Sequence, residues 1–215
     1  MKLPWDNKNA ARRNGHGERG QDWSAGTTDD HNLGDLEPGD AITFWGEGDR
    51  VVTTVLECAE GIGEREYRWK WVFLDDGSLV EHSADGQWRY TEHQIVPQGS
   101  ALFSDLVGPG GMLEQFEARV RTDTVGDDPL WVELKGRRYR ATATGTVAPQ
   151  RRGPSPALSP WAQIVKKAEG NVYFSFVAAD DDQAGVLGLW TSHVCLSFGR
   201  PIATTDIDGV FRRPR

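Results

Sequence analysis

The chain has 215 residues, 24 of them basic and 32 acidic for a net charge of −8, and 38% are hydrophobic, enough for one large or two small domains with a buried core. The acidic balance argues against nucleic acid as the main partner, because phosphate binding wants a basic surface. With 25 Gly, 11 Pro and only 2 Met, the composition suits many short strands joined by turns, and an all-β fold is expected.

No apolar run approaches bilayer length, and the N-terminus lacks the basic, apolar, small-residue order of a signal peptide. A cytoplasmic protein without membrane insertion is therefore expected. Cys58 and Cys195 stand far apart, each inside an apolar alternating run, and read as two buried unpaired thiols.

Residues 1–34 are polar and Gly-rich without either hydrophobic period, so they predict a disordered tail in which Trp5 and Trp23 are the exceptions. Order is expected from Leu36-Glu37-Pro38-Gly39-Asp40, a turn leading into the strand Ala41 to Trp45. Gly46 to Asp49 reads as a turn and Val51 to Glu57 as a β-branched second strand, followed by a loop from Ala59 to Arg65. The next stretch is the most strongly patterned. Tyr67, Trp69, Trp71 and Phe73 share one face of a strand, and Asp76-Gly77 is a strong hairpin signal. A tight turn at those two residues places Leu74 opposite Leu79, Phe73 opposite Val80 and Trp71 opposite His82, with Trp88, Tyr90 and Ile95 supplying a further strand.

Pro97 to Gly111 reads as loop. Met112 to Arg121 fits an edge strand, with Phe116, Ala118 and Val120 alternating with charge, in preference to a short amphipathic helix. Leu130 to Leu134, Gly136 and Arg138 to Val147 predict a hairpin, and Ala148 to Pro160 a Pro-rich loop. Trp161 to Lys166, a turn near Glu169-Gly170 and Val172 to Val177 predict another hairpin, before an acidic loop at Asp180 to Asp182, a long apolar run from Val186 to Phe198 and a short basic tail.

Tyr90-Thr91-Glu92-His93 recurs as Trp190-Thr191-Ser192-His193, and Gly48-Asp49-Arg50-Val51 has a counterpart in Gly136-Arg137-Arg138-Tyr139. The pattern predicts two tandem small SH3-like antiparallel barrels related by an internal repeat. The first spans residues 35–98 and the second 130–208, joined by a connecting segment over 99–129 and followed by a basic tail at 209–215.

Leu36 to Asp40, Tyr67-Arg68-Trp69, Gly136-Arg137-Arg138-Tyr139-Arg140 and Gly199-Arg200-Pro201-Ile202 together resemble an uncharacterised bacterial family of all-β domains, described only as a domain of unknown function. The resemblance runs from Leu36 to Ile207, and the N-terminal tail and Pro-rich loop depart from the compact pattern. Members are often encoded beside small membrane proteins and envelope-stress genes, so it implies an accessory role near the membrane and carries over no catalytic residue.

The chain has no phosphate loop, dinucleotide fingerprint, nucleophile elbow or His-Glu-x-x-His zinc helix, and it reads as non-enzymatic with no cofactor. The sharpest chemical grouping is His93, His193 and Cys195. If the two repeats face each other about a twofold axis, these offer ligands suited to zinc, whereas the plainer reading has each histidine capping a strand. Asp75-Asp76, Asp127-Asp128 and Asp180-Asp181-Asp182 read as turn chemistry. Among the nine Trp most are core, but Trp88 and Tyr90 with Arg68 and Arg89 suggest an exposed aromatic and basic groove for a peptide or strand. The function expected is a binding or scaffolding module with a protein or peptide partner, and the alternative a small-molecule or metal sensor with its site between the repeats. The sequence sets no oligomeric state.

Overall fold

Strand alternation governs the first half of the chain as the hydrophobic pattern requires. In the computed structural model, which describes residues 32–62, 65–122, 124–157, 161–162 and 171–213, β1 (Ala41–Phe44), β2 (Gly48–Ile62), β3 (Arg65–Leu74), β4 (Leu79–Ser83) and β5 (Gly86–Val96) form successive antiparallel hairpins. Two helices follow, α1 (Ala101–Val107) and α2 (Met112–Thr122). The remaining strands are β6 (Trp131–Leu134), β7 (Arg137–Val147), β8 (Gln150–Arg152), β9 (Asn171–Ala178), β10 (Gly185–Trp190), β11 (Val194–Pro201) and β12 (Ile207–Phe211). All twelve belong to one antiparallel sheet ordered β12-β1-β2-β3-β4-β5-β11-β10-β9-β7-β6, with β8 pairing β2 off that path.

This corrects the expectation of two tandem SH3-like barrels. β5 and β11 pair from Val96 opposite Val194 to Trp88 opposite Pro201, so residues 35–98 and 130–208 share one open ladder. The repeat fails with it. Thr91 lies inside β5, whereas Thr191 lies in the turn between β10 and β11, so the two matching tetrapeptides occupy unrelated places.

The sheet buries both of its faces. On one face Leu56, Trp71, Phe73, Leu79 and Tyr90 from the first half meet Val147, Leu187, Leu189 and Cys195 from the second, with Trp161 among them. Strands from both halves share this cluster, so the sheet curls around it. The ladder does not close, but the chain leaving β7 runs into β8, which pairs with β2 and spans the opening. On the other face, alternate residues Val55, Val72 and Val80 pack with Leu33, Leu36, Ile42, Phe44 and Ile207 under β1 and β12. Further along that face α1 and α2 cover Val194, Leu196, Phe174, Phe176 and Val186.

Three local expectations change. Met112–Thr122 is a helix, because Met112, Leu113 and Phe116 bury along one stripe that no strand register offers, and Arg119 and Arg121 suit the negative end of its dipole. β2 continues through the expected loop to Ile62, where β3 supplies its partner. The β3–β4 register is shifted by one residue from that of a two-residue turn: Phe73 faces Leu79, Val72 faces Val80 and Trp71 faces Glu81. The cause is Asp76, whose Oδ1 accepts from both the N–H and the hydroxyl of Ser78 at 2.9 and 2.6 Å, while Gly77 supplies the positive φ of 84°. The loop therefore gains one position.

The tail expected over residues 1–34 lies outside the described residues as far as residue 31, and beyond it Leu33–Asp35 forms a 3-10 turn that buries Leu33. The turn expected near Glu169-Gly170 also lies outside the described residues, while Trp161 and Ala162 are helical where a strand was expected.

Candidate functional site

The residues singled out from sequence do not converge. Trp88 and Tyr90 point to the curled inner face, stacked with their ring centroids 6.3 Å apart, and Tyr90 is buried. Arg89, between them, points to the opposite face. Its guanidinium lies 3.8 Å over the Phe44 ring and bonds Glu47 at 2.8 Å and Asp76 at 3.2 Å, which makes it a clamp between the β1–β2 and β3–β4 turns. Arg68 is on β3, exposed and paired with Glu66 at 2.7 Å. The four-residue groove is therefore corrected: strand alternation divides it between two faces.

His93, His193 and Cys195 are likewise separate. His93 sits opposite Ser197, with Nδ1 2.9 Å from the Ser197 hydroxyl and Nε2 3.0 Å from the Gly77 carbonyl. Nε2 donates to the carbonyl, so Nδ1 accepts from Ser197, and burial pushes the imidazole below its usual value. His193 is exposed in the β10–β11 turn beside Ser192. In the β5–β11 ladder it stands beyond the Val194–Val96 pair, about 13 Å along the strands from His93 at ~3.3 Å per residue. Cys195 is fully buried, and that burial pushes its thiol up to about 11 in spite of Ser197 and the nearby Trp161 indole. The buried Trp161 N–H closes no hydrogen bond of good geometry among the described residues. Among the described residues no three His, Cys, Asp or Glu side chains come together to hold a metal.

A different set of residues does converge. Gln150, Glu57, Lys70, His82 and Gln87 stand in register across β8, β2, β3, β4 and β5, all on the face that elsewhere buries Val55, Val72 and Val80. At ~4.8 Å between strands this polar row is about 19 Å long. Over its Gln150, Glu57, Lys70 and His82 lie two clefts of about 500 and 510 Å³, which share Glu57, Lys70 and Arg152 and so form one trough. Asp35, Glu37, Arg212 and Arg213 wall one end, while Gly34, Glu66, Arg68, Ser83 and Trp69 wall the other.

Ion pairs fix these walls. Arg152 reaches Glu37 at 3.0 Å and Glu57 at 3.1 Å, and Glu57 also holds Lys70 at 3.4 Å. Arg212 donates to the Asn32 carbonyl at 2.6 Å and lies 3.4 Å from Asp40, which also accepts from the backbone N–H of Arg213 and of Glu37. Burial pulls the Asp40 carboxyl up, but these donors outweigh it and hold it below the usual range. Five cationic and four acidic side chains line the two clefts, a net of one positive charge where the whole chain carries −8.

His82 lies at the inner edge of the trough. Its Nδ1 is 3.3 Å from the Gln87 amide nitrogen, which places the proton on Nε2. Nε2 lies against Gly34, where an added Cβ would come within 3.1 Å of it. Burial, and then Lys70, lower the imidazole's proton affinity, against an upward pull from Asp35.

Sequence pattern alone did not find this trough. The signals were Lys70 between two tryptophans and Arg151-Arg152 in a Pro-rich stretch, but facing partners follow only from the β3–β4 register and from β8. Comparison with family models, with curated proteins and with solved structures gives no match to the chain. No helix of the described residues is long and apolar enough to cross a membrane.

Proposed function

We propose that the protein is a non-enzymatic binding module whose trough takes an extended, acid-bearing segment of a partner protein. The observation that carries this reading is the in-register row of Gln150, Glu57, Lys70, His82 and Gln87, walled by Arg68, Arg152, Arg212 and Arg213. A row about 19 Å long accommodates about six extended residues at ~3.3 Å each. Polar side chains on a sheet face that is otherwise buried offer hydrogen bonds in fixed directions, and the surrounding cations favour carboxylates. The curled inner face is a poorer candidate, because Trp71, Trp161, Leu187 and Leu189 fill it. The place of action in this reading is a bacterial cytoplasm, which two free, buried thiols suit.

The test uses a hexaglutamate peptide as probe, with hexalysine as control, read by the fluorescence of Trp69 in the trough wall. Hexaglutamate is expected to bind, more weakly as salt rises, and Lys70→Glu with Arg152→Glu to abolish binding in a protein that circular dichroism shows still folded, though less stable because Glu37 and Glu57 lose their partners. Equal binding of both peptides, or binding indifferent to the two reversals, rejects the reading.

A further inference from the structure

We propose that Lys70 and His82 form a proton-linked carboxylate subsite within the trough, so that the acidic segment binds more tightly as pH falls. The inference rests on the trough being the binding surface and adds to it a specific pair of donors and a dependence on pH.

The two residues are direct cross-strand neighbours on β3 and β4. His82 Nδ1 is engaged by Gln87 from β5, which leaves Nε2–H as the free donor, and no hydrogen bond to Nε2 is made among the described residues. Lys70 has one ionic partner among the described residues, Glu57, at 3.4 Å. That is longer than the ~2.8 Å of a strong charge-assisted hydrogen bond, and an ammonium has three protons to give. Two donors on adjacent strands, ~5 Å apart at Cβ, suit the two oxygens of one carboxylate.

The groups around His82 decide the sign. Lys70 from β3 opposes a second positive charge, whereas Asp35 from the 3-10 turn favours one; Gln87 from β5 and Gly34 are neutral, and Glu57 lies one strand beyond, already shared between Lys70 and Arg152. Burial and then Lys70 lower the imidazole's proton affinity and so bias the empty site towards its neutral form. A bound carboxylate offsets the Lys70 charge and accepts from Nε2, so the imidazole takes a proton from solvent as the ligand enters. By linkage, affinity then rises with falling pH between the free and the bound titration of His82, by at most about tenfold per pH unit for one proton.

Hexaglutamate binding is measured calorimetrically at about pH 8 and about pH 6, where the peptide carboxylates stay ionised, in two buffers of different ionisation heat so that proton uptake is counted directly. The wild-type protein is expected to bind several-fold more tightly at the lower pH with net proton uptake. His82→Gln is expected to bind more weakly than the wild type, most of all at the lower pH, to stay folded by circular dichroism, and to lose both the pH dependence and the proton uptake. Binding that is the same at both pH values, or a pH dependence retained in His82→Gln, overturns this inference and leaves the trough reading standing. Failure to bind at either pH overturns both.

Discussion

The indole of Trp161 lies edge-on to that of Trp71, with ring centroids 5.0 Å apart and planes at 75°. Both rings are fully buried, and Phe73 meets Trp161 from the same strand as Trp71 at 5.2 Å. Trp161 is itself helical and not a strand residue, yet it occupies the centre of the curled face.

Trp161→Ala is therefore expected to destabilise the fold by about 3–5 kcal/mol, the usual cost of removing a buried aromatic that its surroundings cannot collapse upon. Equilibrium urea unfolding checks this. A loss below about 1 kcal/mol would mean that the indole plugs nothing.

Arg89→Met removes a guanidinium whose side chain is 7% exposed, taking the partner of Glu47 and one of the two arginines on Asp76. The expected loss is about 2 kcal/mol, less than for a fully buried triad because Glu47 can turn to water. Thermal unfolding compared with Arg50→Met separates the clamp from the more exposed pair, which is expected to cost under about 1 kcal/mol.

Glu60 accepts a hydrogen bond from the Tyr173 hydroxyl at 2.9 Å, and burial raises its carboxyl above the usual range despite that bond. The folded state thus holds the Glu60 proton more tightly than the unfolded chain does. This contribution to stability is complete below the unfolded carboxyl value and is lost as pH rises through the raised one. Glu60→Gln keeps an acceptor for Tyr173 and cannot ionise. Its melting temperature is expected to exceed that of the wild type near neutral pH and to converge with it in acid, and a variant less stable at neutral pH would contradict the assignment.

The hairpins at Asp76-Gly77 and Gly136 could be read from period and turn residues, because both signals are local. The expectation that most tryptophans are core is corrected: among the described ones Trp71 and Trp161 are buried, Trp69, Trp88 and Trp190 only partly so, and Trp45 is exposed. The trough could not be read from local signals, and the reason lies in one side chain. A two-residue turn puts His82 opposite Trp71 on the aromatic face, but Asp76 caps Ser78, the loop gains a position, and His82 passes to the other face beside Lys70. One residue of register exchanges a core position for one that lines the trough. The resemblance between residues 90–93 and 190–193 misled for a related reason: four similar residues carry no information on whether they pair along a strand or round a turn. α2 was misjudged because Phe116, Ala118 and Val120 satisfy both periods, and only the underlying sheet chooses Met112, Leu113 and Phe116.

The walls of the trough come from Asp35 and Glu37, from Arg152, and from Arg212 and Arg213, so its parts are separated along nearly the whole described chain. On the ribosome, β1 to β5 can pair soon after they emerge, but the trough is complete only once β12 has docked on β1 and set Arg212 and Arg213 beside Asp40. An unfinished chain thus displays the floor of the trough without its rim, which forms only after synthesis has passed Arg213.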